Sequence, residues 1–114
     1  MIWEIILVNI TKDAEKMLCI LYKEYLERRK ADINKSEAGF FGTPEDIKLF
    51  IQKMSIDDIA STCRELIRAG YFIGKEYITN LYNVKLTDTC VVYMENCFKN
   101  GIKEIADIIG NFIP

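Results

Sequence analysis

The spacing of hydrophobic positions predicts a long amphipathic helix in the first third of the chain. From about Lys12 to Lys30, apolar residues recur three and four positions apart and form one stripe. The stripe consists of Ala14, Met17, Leu18, Leu21, Tyr22 and Tyr25. Acidic residues in the first turn and basic residues in the last suit the helix dipole at both ends. We therefore expect one face of this helix to line the core.

Two further helices are predicted, each after a polar capping residue. Thr43 is the predicted cap of the first, and Pro44 follows it at the first helical position. Ser55 is the predicted cap of the second, which ends at Gly70. The expected buried face of the helix after Ser55 consists of Ile56, Ile59, Ala60, Cys63, Leu66 and Ile67. Residues 31–42 are predicted to be a loop whose two phenylalanines, Phe40 and Phe41, pack into the core.

Two short aromatic and β-branched runs follow, and they are expected to pair as a hairpin. They are Tyr71-Phe72-Ile73 and Leu81-Tyr82-Asn83-Val84, with a bend at Thr79-Asn80. A fourth helix is predicted to begin at Thr87, and a last one follows Asn100-Gly101. The order helix, hairpin, helix is typical of the second half of a winged helix-turn-helix domain. We therefore predict one α+β domain, mainly α, over residues 1–114, with a three-helix core, a β-hairpin wing, a hydrophobic segment at 1–10 and a C-terminal helix at 100–114.

Composition and charge argue against two classes of function, simple DNA binding and catalysis. The chain has 114 residues, a formal net charge of −2 and no histidine. An acidic chain argues against a simple DNA-binding protein, whose usual electrostatic footprint is a basic surface. Without histidine, general base catalysis at neutral pH needs a perturbed carboxylate or lysine. We expect no enzymatic activity and no cofactor.

The four cysteines have no CxxC spacing, so we expect buried free thiols in a cytoplasmic protein and no metal site. The hydrophobic segment at 1–10 is too short to span a bilayer, and no membrane association is expected. This segment is either a strand or short helix that covers the core, or a dimerisation arm.

The segment from Arg64 to Tyr71, followed by Leu86-Thr87-Asp88 and Tyr93-Met94-Glu95-Asn96, resembles the winged-helix superfamily. With Phe72-Ile73-Gly74 and the short terminal helix, the chain more closely resembles the YjcQ-like family of small bacterial and phage proteins, over roughly residue 12 to the C-terminus. This resemblance implies the fold and a cytoplasmic or phage-associated origin. It implies no established activity.

The expected function is regulatory, exercised by binding duplex DNA or a protein partner. If the domain binds duplex DNA, the fold analogy places the helix after Ser55 in the major groove. The residues predicted to contact DNA are Ser61, Thr62, Arg64, Arg68, Lys75 and Lys85. Alternatively, the four charged residues of this set are solvated surface charges that pair with Glu65 or Glu76; they are Arg64, Arg68, Lys75 and Lys85. The basic run Arg28-Arg29-Lys30 either contacts phosphates or serves the helix C-terminus.

Protein binding or dimerisation without DNA binding is the rival function. The helix after Ser55 begins with Asp57 and Asp58, which repel phosphates. Tyrosines commonly anchor interfaces, and the candidates here are Tyr22, Tyr25, Tyr77 and Tyr82, which otherwise pack in the core or hairpin. A homodimer is expected through Trp3, Ile105, Ile109 and Phe112, unless these side chains pack on their own domain.

Overall fold

The structure is a computed structural model that describes residues 10–99 and 101–110. Its elements in chain order are α1 (Lys12–Lys30), α2 (Lys35–Ala38), β1 (Phe40–Gly42), α3 (Pro44–Lys48), α4 (Ile56–Arg68), β2 (Phe72–Glu76), β3 (Leu81–Leu86), α5 (Asp88–Cys97) and α6 (Ile102–Gly110). The architecture is α+β and mainly helical, as the sequence predicted.

The three strands form one antiparallel sheet in the order β1-β3-β2. In β2 and β3, Phe72, Leu81 and Val84 turn towards the helices and are buried. The predicted hairpin is confirmed, since Ile73 of β2 lies opposite Lys85 of β3. One face of the sheet therefore covers the helical core and the other faces solvent.

The predicted first helix is confirmed at both ends. Thr11 caps α1 and accepts a hydrogen bond from the backbone N–H of Ala14, at 3.2 Å. The predicted stripe is buried, and α6 packs across α1. Ile105 of α6 has no exposed surface, so this helix contributes directly to the core.

The predicted caps of α3 and α4 are also confirmed. Thr43 and Asp46 form a reciprocal capping box with Pro44 in the first turn. Ser55 Oγ accepts from the backbone N–H of Asp58 at 3.1 Å. Gly70 ends α4 with φ of 89°, a left-handed conformation that glycine adopts at little cost.

Residues 31–42 were predicted to be a loop, and here the prediction was wrong in two ways. The segment contains the single turn α2 and the strand β1. Phe41 is buried, but Phe40 is 44% exposed, because β1 pairs with β3 and places Phe40 opposite Lys85 on the solvent side. A strand turns successive side chains to opposite faces, so the two phenylalanines cannot both enter the core.

The buried face of α4 is rotated from the predicted one. Ile56 is 40% exposed, because it opens the helix at the edge of the core. Thr62 is 6% exposed and lies among the core residues beside Cys63. The buried side of α4 therefore runs through Ile59, Thr62, Cys63 and Leu66.

No helix among the described residues is both long and apolar enough to cross a membrane.

Candidate binding surface

Two residues of α4 that were predicted to contact DNA, Ser61 and Arg68, are exposed. Thr62 was predicted to be exposed as well, and this is wrong, because its side chain lies on the buried side of the helix at 6% exposure. A side chain in that position has no surface to offer a partner. Of the predicted contacts on α4, only Ser61, Arg64 and Arg68 reach the surface at all.

Arg64 makes an internal ion pair. Its Nε donates to Oε1 of Glu76 at 2.8 Å, and both side chains are partly exposed. The bond joins α4 to the end of β2. The alternative interpretation of Arg64, as surface charge paired with Glu76, is therefore what the structure shows.

Glu65, the next residue, bonds in another direction. Its carboxylate accepts from the backbone N–H of Thr11 and from the Thr11 hydroxyl, each at 2.7 Å. Thr11 is the N-cap of α1, so Glu65 places a negative charge at the positive end of that helix. This contact joins α4 to α1.

The remaining charge on the surface of α4 is mixed. Asp57 and Asp58 are exposed in the first turn, and Arg68 is exposed in the last. Within residues 10–99 and 101–110, none of these three forms an ion pair. With Arg64 neutralised by Glu76, the exposed side of α4 has no surplus of positive charge.

The solvent side of the sheet forms a second surface, which we call the outer sheet face. It consists of Phe40, Ile73, Lys75, Tyr77, Tyr82 and Lys85. The register brings these residues together across three strands: Lys85 is opposite both Phe40 and Ile73, and Lys75 is opposite Tyr82. Residues directly opposite on neighbouring strands point to the same side of a sheet.

The apolar side chains of the outer sheet face are open to solvent. Phe40 is 44% exposed, Ile73 46% and Tyr77 60%. The Tyr77 and Tyr82 rings meet edge to face with centroids 5.3 Å apart. An open hollow of about 470 Å³ lies beside them, lined by Lys75, Tyr77, Tyr82 and Asn83.

An irregularity in β3 keeps this face continuous. Between the pairs Ile73–Lys85 and Lys75–Tyr82, β3 advances three residues while β2 advances two, which is a β-bulge. Asn83 lies in this bulge with a left-handed φ of 56°. Gly74 faces inward, where an added Cβ would lie 3.2 Å from the carbonyl oxygen of Tyr82. Ile73, Lys75, Tyr82 and Lys85 therefore all stay on the outer side.

Sequence reasoning identified Lys75 and Lys85 but missed Phe40 and Ile73. Successive side chains in a strand point to opposite faces, and Phe72 and Gly74 point inward. The outward position of Ile73, between them, could therefore have been predicted from the sequence. The signal for Phe40 was absent, because it depends on the pairing of β1 with β3.

The basic run at the end of α1 supports the fold. The Arg28 guanidinium donates to the Phe40 carbonyl oxygen at 2.8 Å, bonds Glu24 and lies over the Phe41 ring at 4.5 Å. These contacts hold β1 against α1. Arg28 therefore bonds within the fold. Arg29 donates to the Ile33 carbonyl oxygen at 3.2 Å and, like Lys30, is exposed.

The four thiols are buried and free, as predicted. Burial raises the pKa of Cys19 and of Cys63 to about 12, and it raises the pKa of Cys90 and Cys97 as well. A thiol that stays protonated at neutral pH is a poor nucleophile and a poor metal ligand. Among the described residues, no group of histidine, cysteine, aspartate or glutamate side chains could hold a metal ion.

Comparison of the chain with protein-family models, with curated proteins and with solved structures finds no match.

Proposed function

We propose that the chain is a winged helix-turn-helix domain. The order α1, β1, α3, α4, β2, β3 and the sheet order β1-β3-β2 support this proposal. In that fold α4 corresponds to the recognition helix and the β2–β3 hairpin to the wing. The resemblance to the YjcQ-like family is part of the same proposal, and it supplies no activity.

The proposed role of the domain is regulatory, exercised by binding another protein. The observation that carries this proposal is the outer sheet face, where four large exposed side chains, Phe40, Ile73, Tyr77 and Tyr82, share one side of the sheet with Lys75 and Lys85. Contiguous apolar surface on a small domain commonly marks an interaction site. Tyrosine is among the residues that contribute most to interface affinity.

The charges of α4 support the same choice. Protein affinity for duplex DNA rests largely on neutralised phosphates. Here Asp57 and Asp58 lie at the start of the helix, and the Arg64 charge is balanced by Glu76. A duplex placed against α4 would meet two carboxylates before it met Arg68.

A salt-dependent binding assay with a random-sequence duplex tests this proposal. We expect dissociation constants no tighter than roughly 10⁻⁴ M at physiological salt, the weak limit of non-specific binding. The double variant Asp57→Asn/Asp58→Asn serves as a control and should bind more tightly than the native protein. A micromolar dissociation constant for the native protein, with a salt slope of several units, would overturn the proposal.

Duplex DNA binding through the wing and the last turn of α4 is the second candidate. It is favoured by Arg68, Lys75 and Lys85, which form no ion pair within the described part of the chain. If the duplex assay is positive, Arg68→Ala should reduce affinity by about 1–3 kcal/mol if Arg68 reads a base. If Lys75 contacts a phosphate, Lys75→Ala should instead lower the salt slope by about one unit.

A further inference from the structure

The outer sheet face is positively charged although the chain as a whole has a formal net charge of −2. Lys75 and Lys85 are its charged residues, and no acidic residue shares the outward register positions. The acids nearest in the chain pair with other cations. Glu76 Oε1 accepts from Arg64 Nε at 2.8 Å, and Asp88, which lines one hollow with Lys85, has its Oδ1 3.1 Å from Lys35 Nζ. A ligand on this face therefore meets two cations that have no described counterion.

The positions of the two lysines match an extended peptide. Lys85 is opposite Ile73, and Lys75 is two residues further along β2. With a rise of about 3.3 Å per residue and about 4.8 Å between strands, their Cα atoms are roughly 8 Å apart. In an extended peptide, side chains two residues apart point to the same side at roughly 7 Å. Two carboxylates with that spacing can reach both lysines at once.

We propose that the outer sheet face docks an extended segment of a partner protein that carries two acidic residues two positions apart, flanked by apolar residues. This inference rests on the proposed function and names the partner chemistry for it. The carboxylates pair with Lys75 and Lys85, and the apolar side chains cover Phe40, Ile73 and Tyr82. Charge complementarity sets the register, while the apolar contacts supply most of the affinity.

The same face fits single-stranded nucleic acid less well. Binding without sequence preference needs open aromatic faces and a cationic groove that follows the backbone. Here the Tyr77 and Tyr82 rings pack edge to face at 74°, Lys85 lies between Phe40 and Ile73, and Lys75 and Lys85 are the only lysines at the outward positions of the described strands. An oligonucleotide is therefore the competing outcome of the test.

Selection from a display library of random octapeptides on the immobilised full-length protein tests the proposal. We expect enrichment of octapeptides with two acids two positions apart and apolar neighbours. For an enriched peptide, fluorescence anisotropy should show binding at least about tenfold weaker to Lys75→Glu/Lys85→Glu. Phe40→Ser should also weaken binding, because it removes exposed apolar contact area without opening the core.

The matched control is Lys53→Glu/Lys103→Glu, which makes the same charge change at two exposed lysines away from the sheet. At physiological ionic strength its affinity should stay within about twofold of the native value, because distant exposed charges are screened. Equal loss in both double variants would contradict the proposal. So would a single-stranded DNA twenty-mer that binds more tightly than the enriched peptides.

The experiments distinguish failure of this inference from failure of the proposed protein-binding function. Peptides that still bind Lys75→Glu/Lys85→Glu with native affinity would exclude the outer sheet face and leave a protein-binding role in place. If no peptide is enriched, the inference is overturned; micromolar binding of random duplex in addition would overturn the proposed function itself.

Discussion

At the residue scale, two neighbouring charged side chains on α4 hold three elements together. Arg64 bonds the end of β2, and Glu65 bonds the N-cap of α1. The sequence predicts a surface role for both residues, Arg64 as a DNA contact and Glu65 as a counterion. Their charges instead pair with groups of the same molecule, which explains why a helix with five charged side chains offers so little to a phosphate backbone.

The Glu65 contact should contribute measurably to stability. Hydrogen bonds to a charged group contribute roughly 1.5–3 kcal/mol when sheltered, and the partial exposure of this contact reduces that figure. We expect Glu65→Ala to lower the free energy of unfolding by about 1 kcal/mol, measured by urea denaturation. Glu27→Ala is the control, because it removes only an exposed pair with Lys23 within α1. Equal losses in the two variants would show that the link from Glu65 to Thr11 adds nothing.

The buried thiols predict how stability responds to alkali. Burial raises the pKa of Cys63 from 9.0 to about 12, so between these values the folded state holds a proton that the unfolded state has lost. The Cys63 contribution is therefore complete below about pH 9 and is lost as the pH rises towards 12.

We expect the free energy of unfolding to fall between pH 9 and 11, and to fall less steeply in Cys63→Ala, which lacks the titrating group. Chemical denaturation at a series of pH values measures both slopes. Because Cys19 and Cys90 have raised pKa values for the same reason, some slope should remain in the variant. Identical slopes in the two proteins would contradict this assignment.

At the element scale, Gly70 allows a test that isolates backbone strain. It ends α4 with φ of 89°, and an added Cβ meets no heavy atom within 4 Å. Any cost of Gly70→Ala is therefore conformational, about 1–2 kcal/mol for a left-handed residue. Gly110, in α6, also has open space around an added Cβ but lacks a positive φ, so Gly110→Ala should cost little. Thermal unfolding of both variants gives the comparison.

The elements that sequence predicted well are those with local signals. The bounds of α1 and the caps at Thr43, Ser55 and Thr87 follow from residues within a few positions of each helix end. In contrast, β1 has three residues, and its strand character depends on pairing with β3 some forty positions later. No local pattern contains that information.

The candidate site was predicted only in part for the same reason. The sequence predicts Lys75 and Lys85 as charged residues of the wing, because both belong to the predicted hairpin. Their apolar neighbours were missed, because Phe40 joins this surface through the sheet register alone. Thr62 was misplaced because the buried face of α4 was centred one position away from the true one.

At the scale of the whole molecule, the predicted dimer residues fall into two groups. Ile105 is fully buried and Ile109 packs against the same core, so these side chains serve their own domain. Trp3 and Phe112 lie outside the described residues. The homodimer stays a prediction, but Ile105 can contact a second copy only if α6 leaves α1.

Truncating Ile105 distinguishes these roles. If Ile105 serves only the core of its own chain, Ile105→Ala should lower the free energy of unfolding by about 2–5 kcal/mol, the usual cost of a cavity at a buried aliphatic position. Sedimentation velocity at micromolar concentration should then give the same molecular mass for the variant and the native protein.

Ile109→Ala is the matched comparison. Ile109 is partly exposed, so its loss should destabilise the fold less than the loss of Ile105 does. A native dimer that dissociates in Ile105→Ala while the monomer keeps its stability would show that α6 is an interface between copies. Such a dimer would also hold two α4 helices at a fixed spacing, as an operator with two half-sites requires.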